Sequence, residues 1–238
     1  MQEKTLDGRV VLITGATGGL GTSVTAAFLD AGARVAAVDR AARQEATEYL
    51  APIAADLSTF SGAQSATEAV VARWGRIDAL VHLVGGFAGG QSIAEMGSDS
   101  DDATFDRMMN VNLRTAFYMF RAVLPGMREQ QRAAAGRILA IGSRSAAEPS
   151  PKSGLYAASK AALVSLVRTV AAENADRGIT ANVILPGTMD TLANRAAMPK
   201  ANFSQWVPPA QVASLLVHLA GDGASAINGA AIPIYGGA

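Results

Sequence analysis

Short apolar runs alternate with longer amphipathic segments along this chain. Runs such as residues 9–14 (RVVLIT) are rich in β-branched side chains and end at glycine, which is typical of buried strands. Strands that alternate with helices pair in parallel through helical crossovers. The pattern therefore predicts an α/β fold, a doubly wound parallel sheet flanked by helices. We predict strands at 9–14, 34–38, 53–55, 78–84, 136–141 and 179–185, and helices at 22–31, 105–131 and 156–174.

No linker, repeat or low-complexity block divides the sequence, so we expect one domain over residues 1–238. Two segments depart from the alternation: residues 87–104 are rich in Gly, Ser and Asp, and residues 188–209 contain three prolines. Both follow the carboxyl ends of predicted strands, where open α/β sheets bind ligands, and we expect them to be substrate loops. Within the first, Asp99, Asp101 and Asp102 are interpreted as capping residues of the next helix.

The composition excludes several classes of function. The 20 basic and 20 acidic residues cancel, so neither nucleic acid nor a membrane surface is an expected partner. The chain has no Cys, which excludes disulfides, thiolate metal sites and cysteine nucleophiles, and we expect no metal. The sequence does not begin with a signal-peptide pattern, and no uninterrupted apolar run reaches the roughly 18 residues of a membrane span. We therefore expect a cytoplasmic protein.

A glycine-rich segment, residues 14–21 (TGATGGLG), joins the first predicted strand to the first predicted helix. Such a turn requires residues without a Cβ atom, and backbone amides at the helix N-terminus bind pyrophosphate. Gly15 is expected to form the turn, Gly19 to admit the pyrophosphate and Gly21 to let the helix pack on the sheet. The segment predicts a dinucleotide site, with loop residues Gly15, Thr17, Gly18, Gly19, Leu20 and Gly21 at the cofactor.

Asp39 follows the second predicted strand. A carboxylate there accepts both hydrogen bonds of an adenosine ribose diol and repels a 2′-phosphate. Arg40 comes next and would favour a 2′-phosphate, but segment 14–21 supplies no Lys or Arg to assist it. We therefore expect NAD (NADH) as cofactor, with NADP as the alternative. A methyltransferase that binds S-adenosylmethionine shares these features, and only the second half of the chain argues against it.

Tyr156 and Lys160 begin the helical segment 156–174 in a Tyr-x-x-x-Lys pattern. Positions i and i+4 share one helix face, so the phenol and the ammonium can converge. The ammonium, joined by the positive charge of a nicotinamide, is expected to bring the phenol pKa from about 10 towards working pH. This pair predicts acid–base chemistry beside a dinucleotide.

Ser143 ends a predicted strand and is expected to hydrogen-bond a substrate carbonyl beside the phenol. A nucleophilic serine would require a Gly-x-Ser-x-Gly turn and a histidine base, whereas this chain has Gly-Ser-Arg-Ser at 142–145. His82 and His218 lie in apolar segments and are interpreted as packing residues. A hydrolase is therefore disfavoured.

With these motifs in place, the chain resembles the short-chain dehydrogenase/reductase family from end to end. The resemblance rests on segment 14–21, Asn112 within Asn-Val-Asn-Leu, Ser143, Tyr156 with Lys160, segment 186–191 and the ending 229–237. It implies a single dinucleotide-binding and catalytic domain of Rossmann fold that transfers hydride between a nicotinamide and a carbonyl or alcohol substrate.

The resemblance also implies the roles of individual residues. Ser143 would orient the carbonyl, Tyr156 would exchange the hydroxyl proton, and Lys160 would lower the pKa of the tyrosine and hold the nicotinamide ribose. Asn112 would hold a water that relays protons through Lys160. The remaining cofactor contacts expected are Asp56, Leu57, Val84, Gly85, Gly86, Pro186, Gly187, Thr188, Met189 and Thr191. A homotetramer or homodimer is implied through the apolar helices containing residues 117–123 and 163–170.

One segment departs from the family pattern, because His-Leu-Val-Gly-Gly at 82–86 stands where Asn-Asn-Ala-Gly is common. Other side chains must replace the missing asparagine hydrogen bonds. Segments 84–90 (VGGFAGG) and 185–206 are similar to dihydropteridine reductases of the same superfamily. This similarity implies NADH-dependent reduction of a quinonoid dihydropterin as an alternative function, although that branch generally lacks the serine retained here as Ser143. A non-catalytic, dinucleotide-sensing regulator is a further alternative.

Overall fold

Seven parallel strands form one sheet in the part of the chain that the computed structural model describes, residues 5–42, 44–130 and 136–237. The strands are β1 (Val10–Thr14), β2 (Arg34–Asp39), β3 (Leu50–Ala54), β4 (Ala79–His82), β5 (Gly136–Ile141), β6 (Ile179–Pro186) and β7 (Ala231–Ile234). Their order is β3-β2-β1-β4-β5-β6-β7. The chain moves from β1 towards β3 on one side and then returns to build the other side from β4. The carboxyl ends of β1 and β4 therefore border a topological switch point, where such sheets bind ligands.

Helices cover both faces of the sheet. They are α1 (Gly21–Asp30), α2 (Phe60–Trp74), α3 (Asp99–Met109), α4 (Thr115–Glu129), α5 (Gly154–Glu173), α6 (Leu192–Ala197) and α7 (Pro209–Ala220). Strand β1 shows how one strand serves two cores: Val10 and Leu12 pack towards α2, α4 and α5, whereas Val11 and Ile13 pack towards α1 and α7. Burial on both faces explains the continuous apolar strands and confirms the predicted doubly wound α/β fold.

The helix predicted at 105–131 differs most from the structure. It is divided into α3, a π-helical turn (Asn110–Arg114) and α4, and residue 131 lies outside the described residues. Helix α3 also begins at Asp99, because its first turn is polar and escapes a search for apolar periodicity. The interpretation of the aspartates as capping residues is confirmed for Asp101, whose carboxylate accepts a hydrogen bond from the Ser98 amide at 3.0 Å.

Two helices, α2 and α7, and the short α6 within segment 188–209 were not predicted. The buried face of α2 consists of Ala63, Ala66 and Val70, which are too small to give a strong hydrophobic pattern. In α7, His218 is exposed rather than packed in the core. Strand β4 ends at His82, two residues earlier than predicted.

Within the described ranges, α5 is the one helix long and apolar enough to cross a membrane by length and composition, with a mean hydropathy of 1.3. This is weak evidence, because a core helix of a soluble protein meets the same criterion. Here α5 packs Leu163 and Val167 into the core on one face of the sheet and buries Lys160. Its apolar character therefore has an explanation within the fold.

Candidate active site

The glycine-rich turn between β1 and α1 is held by two close approaches. Gly15 has a φ of +67°, and a Cβ atom there would lie 3.2 Å from the Val84 amide nitrogen at the end of β4. A Cβ atom at Gly21 would lie 2.1 Å from the Gly15 carbonyl oxygen. Gly21 thus lets the start of α1 lie against the turn that directly follows β1. Both positions exclude any larger residue.

The start of α1 faces the switch point. None of the described side chains caps this helix N-terminus, so its amide groups and the positive end of its dipole suit an anion. A Cβ atom at Gly19 would fill the space in front of the turn and lie 3.1 Å from the Thr191 side chain. Thr191 caps α6, its hydroxyl accepting a hydrogen bond from the Asn194 amide at 3.2 Å. The glycine-rich turn and segment 188–209 therefore border a narrow space in front of Gly19, which we call the cradle.

Asp39 lies at the end of β2 and supports the same turn. Its carboxylate accepts hydrogen bonds from the Thr17 amide at 3.0 Å, the Thr17 hydroxyl at 2.7 Å and the Arg40 amide at 2.8 Å. Partial burial raises the pKa of Asp39, but the Thr17 hydroxyl and the two amides lower it more, so the pKa lies below its ordinary value. The group is a carboxylate with a structural task, which sequence reasoning did not assign to it.

Asn112 sits in the π-helical turn between α3 and α4 and is fully buried. Its side-chain amide donates to the Gly86 carbonyl at 2.9 Å and to the Ser159 hydroxyl at 3.1 Å, and its oxygen accepts from the Gly86 amide at 2.9 Å. π-helical turns inside helices occur often at functional sites. Asn112 thus connects the segment after β4 to α5.

Lys160 is 4% exposed and donates a hydrogen bond from Nζ to the Ile141 carbonyl at 2.8 Å. Burial lowers its pKa from 10.5 to about 8. A Cβ atom at Gly85 would lie 3.0 Å from Nζ and 2.9 Å from the Asn112 side-chain oxygen. A larger residue at Gly85 would therefore displace the Asn112 amide or the Lys160 amine from its observed position.

Tyr156 precedes Lys160 by one helical turn, and the Ser143 side chain lies near its phenol. Burial raises the pKa of Tyr156, and the neighbouring Ser143 side chain lowers it less, so the pKa lies above its ordinary value. Lys160 by itself therefore does not produce the expected lowering of the phenol pKa. Ser143 itself follows β5 and is 9% exposed. The structure brings Ser143, Tyr156, Lys160 and Asn112 to one region at the carboxyl ends of β4 and β5.

The other predicted cofactor residues follow the carboxyl ends of strands. Exposed Arg40 and Asp56 follow β2 and β3, whereas the Leu57 side chain is buried in the core and leaves only its backbone for a ligand. Gly187 passes so close to β7 that a Cβ atom would lie 2.5 Å from the Tyr235 carbonyl oxygen. The residues placed along this edge are Val84, Gly86, Pro186, Gly187, Thr188 and Met189.

Two segments border the opening above Tyr156. Phe87 is 64% exposed and packs edge-on against the Tyr156 ring, with centroids 5.0 Å apart. Sequence reasoning did not single it out, although an aromatic residue amid glycines is a usable signal. On the other side, segment 188–209 is braced by an Asp190–Arg195 ion pair at 2.5 Å. A separate cavity of about 390 Å³ is lined by Ile93, Met96, Gly97, Ser98, Asp99, Asp101, Asp102, Phe105 and Leu155 rather than by the four side chains above.

The residues present fit a nicotinamide dinucleotide. The cradle in front of Gly19 admits a pyrophosphate only because no Cβ fills it, and Asp39 lies at the strand end where an adenosine ribose would be bound. The buried amine of Lys160 and the phenol of Tyr156 lie further along the same edge of the sheet. A doubly wound sheet that carries these groups at its switch point defines a dinucleotide-dependent oxidoreductase.

Comparison with known proteins identifies the family. The sequence model described as "short chain dehydrogenase" matches residues 9–202. D-threitol dehydrogenase of Mycolicibacterium smegmatis is 34% identical over 98% of this chain and 93% of that protein. 2-(R)-hydroxypropyl-CoM dehydrogenase of Xanthobacter autotrophicus is 32% identical over 96% of this chain and 97% of that protein. This chain belongs to the short-chain dehydrogenase/reductase family.

A solved structure agrees with this assignment. The 3-ketoacyl-(acyl-carrier-protein) reductase from Brucella melitensis, crystallised with NADH, has a TM-score of 0.84 to this chain and 30% identity, with 98% of each chain covered. Together, the dehydrogenases and reductases among the relatives show that this protein is an NAD(P)-dependent oxidoreductase.

Proposed function

We propose that this enzyme transfers hydride between NAD(H) and a small carbonyl or alcohol substrate, with Tyr156 as the acid–base group. The observation that carries the proposal is the convergence of Ser143, Tyr156 and the buried amine of Lys160 at the carboxyl end of β5, where Lys160 donates to the Ile141 carbonyl at 2.8 Å. A bound nicotinamide would supply or accept the hydride. The protein supplies orientation and a positioned proton.

Each step assigned to the protein uses one polar group. The Ser143 hydroxyl orients the substrate carbonyl, and the Tyr156 phenol donates a proton to its oxygen during reduction or removes it during oxidation. Lys160 holds the nicotinamide ribose with the amine hydrogens that Ile141 does not use. Asn112 holds a water through which Lys160 exchanges protons with solvent. The pyrophosphate is bound by Gly15, Gly18, Gly19 and Leu20, with Thr17, Thr188 and Thr191 around it.

Turnover tests this proposal directly. The purified protein is mixed with NADH and a panel that contains polyol-derived ketones, 2-ketopropyl thioethers, 3-ketoacyl thioesters and quinonoid dihydropterin, and NADH oxidation is followed by absorbance. We expect oxidation with at least one of them. Tight NADH binding without turnover on any carbonyl would instead support a dinucleotide-sensing regulator, and binding of neither NADH nor NADPH would remove the dehydrogenase function.

The quinonoid dihydropterin in this panel represents a second candidate function. The observation in its favour is Phe87, an exposed ring fixed against the Tyr156 ring, since such a wall suits a flat ring substrate. Ser143 argues for carbonyl chemistry instead. A higher kcat/KM for the pterin than for every carbonyl in the panel would decide for the second function.

We further propose that Asp39 makes NAD the preferred cofactor. Replacing Asp39 with Ala is expected to weaken NADH binding by about tenfold, because a charge-assisted hydrogen bond to the ribose contributes roughly 1.5–3 kcal/mol. NADPH binding should weaken less or improve, since the repulsion of the 2′-phosphate is removed. Nicotinamide fluorescence measures both dissociation constants.

Two further variants separate ribose binding from support of the turn. Asp39→Asn keeps an acceptor for Thr17 but removes the charge. NADH binding should therefore weaken less than in Asp39→Ala, while NADPH binding improves because the repulsion of the 2′-phosphate is removed. Thr17→Val removes the hydroxyl hydrogen bond and should weaken both cofactors equally. Unchanged affinities in Asp39→Ala would exclude Asp39 from the ribose site.

We also propose that residues 1–238 form one catalytic domain, as all the described strands join one sheet, and that segments 87–104 and 188–209 contact the substrate. A homotetramer or homodimer would use α4 and α5, where Phe117 is exposed although apolar. A cytoplasmic location stays a prediction from the sequence.

A further inference from the structure

His82 is a buried histidine at the end of β4. It lies between the end of β1, where the glycine-rich cofactor turn (residues 14–21) begins, and α4, the helix that follows Asn112. Its Nδ1 atom lies 3.0 Å from the Thr14 hydroxyl oxygen at the end of β1. Its Nε2 atom lies 3.3 Å from the Thr115 hydroxyl oxygen at the start of α4. All three side chains are at most 4% exposed. His82 therefore bridges two elements that are distant in sequence, where the family pattern has an asparagine.

The partners fix the direction of every hydrogen bond in this bridge. The Thr115 hydroxyl donates to the Val111 carbonyl at 2.8 Å, so towards His82 it can only accept, and Nε2 must carry the hydrogen. Burial, and then the charge of Lys160, lower the pKa of His82 to about 3, so the ring is neutral and Nδ1 carries no hydrogen. Nδ1 accordingly accepts from the Thr14 hydroxyl, whose oxygen accepts from the Leu83 amide at 3.2 Å.

The chain of hydrogen bonds ends on the catalytic side at the π-helical turn. Thr115 bonds to Val111, the residue before Asn112, and Asn112 holds both the amide and the carbonyl of Gly86. The π-helical turn closes i→i+5 hydrogen bonds and is a local departure from the regular helix on either side of it. At the other end, Thr14 directly precedes Gly15 of the cofactor turn.

We propose that His82 is a positioning residue: its neutral imidazole, through Thr115, fixes the π-helical turn and so places Asn112 between Gly86 and Ser159. This inference rests on the proposed hydride transfer, in which Asn112 and Lys160 act. Because both ring nitrogens are occupied by threonine hydroxyls, His82 itself exchanges no proton with the substrate. A displaced Asn112 would leave NADH bound but slow the proton step.

Kinetic variants test the placement of Asn112. His82→Leu is expected to lower kcat by about 10- to 100-fold, the cost of a misplacement near 1 Å, with a smaller change in the KM for NADH. Thr115→Val breaks the same link and should lower kcat similarly, and the double variant should be no worse than either single one. His82→Gln retains an acceptor and a donor on one planar group and should recover part of the activity.

Val123→Ala is the matched control for lost stability. Val123 is buried on α4 in the core and its apolar side chain takes no part in the hydrogen bonds, so this variant should lose stability without losing kcat. The proposal is overturned if His82→Leu keeps wild-type kcat, if Val123→Ala of equal thermal stability loses as much kcat, or if the His82 and Thr115 effects add.

The tautomer of His82 provides a test that does not depend on turnover. The chain contains two histidines, and His218 is exposed, so a His218→Gln variant assigns the ring signals of His82 in nitrogen-15 NMR. We expect a protonated Nε2 and an unprotonated Nδ1 that stay unchanged at mildly acidic pH. A protonated Nδ1 would overturn the positioning proposal even in an active enzyme. Conversely, the expected tautomer in a protein without turnover would show that the proposed function alone had failed.

Discussion

Replacing Tyr156 with Phe is expected to lower turnover at least about 100-fold while leaving NADH affinity nearly unchanged, because positioned acid–base catalysis contributes about 10² to 10⁴. The substitution removes only the phenol hydroxyl, which lies near the Ser143 side chain. The ring itself stays packed against Phe87, 5.0 Å away, so the pocket keeps its shape. Steady-state turnover with the best substrate of the panel and a fluorescence titration with NADH measure the two quantities.

A second phenol provides the control for this experiment. Tyr118 on α4 packs against Phe60 with ring centroids 6.1 Å apart and lies outside the site, so Tyr118→Phe should keep wild-type turnover. Ser143→Ala should also lower turnover, because the phenol and the carbonyl lose the same hydroxyl partner. A Tyr156→Phe enzyme that retains more than about a tenth of the wild-type rate would exclude Tyr156 as the acid–base group.

The fold was largely predictable because burial on both faces gives parallel strands an unmistakable composition. β1 and β6 are buried along their whole length for this reason, and the alternation with helices predicted a parallel, doubly wound sheet. Helix α7 was missed although it buries Val212, Leu216 and Leu219 at helical spacing. The other helical segments that escaped detection lack a strong apolar stripe. Helix α2 buries mostly alanine, and α3 begins with a turn of Ser and Asp whose stabilisation comes from capping rather than from burial.

The site residues likewise fall into two groups, those placed by spacing within one segment and those placed by contacts between distant segments. Tyr156 and Lys160 share a helix face by spacing alone, and a serine at a strand end could be placed beside them. The placement of Asn112 depends on a π-helical turn, and that of the turn on His82 and Thr14, which belong to other strands. No pattern within one segment reveals such contacts. The contacts of His82 with Thr14 and Thr115 were therefore visible only in three dimensions.

The buried amine of Lys160 should make this enzyme less stable at neutral pH than a variant without it. Its pKa falls from 10.5 to about 8 through burial, which corresponds to about 3 kcal/mol favouring the unfolded state at pH 7. Lys160→Met removes this cost but also the hydrogen bond to the Ile141 carbonyl, which contributes about 1 kcal/mol. We expect the variant to be more stable by about 2 kcal/mol at pH 7, and to turn over far more slowly.

The sign of the pH dependence makes this prediction specific. Between pH 8 and 10.5 the unfolded chain binds a proton that the folded Lys160 has released, so wild-type stability rises with pH across this window. The advantage of Lys160→Met should accordingly shrink above pH 8 and reverse at about pH 10, where the remaining cost of the buried amine falls below the contribution of the lost hydrogen bond. Urea unfolding at pH 7, 8, 9 and 10 measures the difference, with Lys200→Met as the exposed control that should show no such trend. If the unfolding free energies of wild type and Lys160→Met changed with pH in parallel, Lys160 would keep its ordinary pKa in the folded protein. Its amine would then be in contact with water rather than buried next to Gly85.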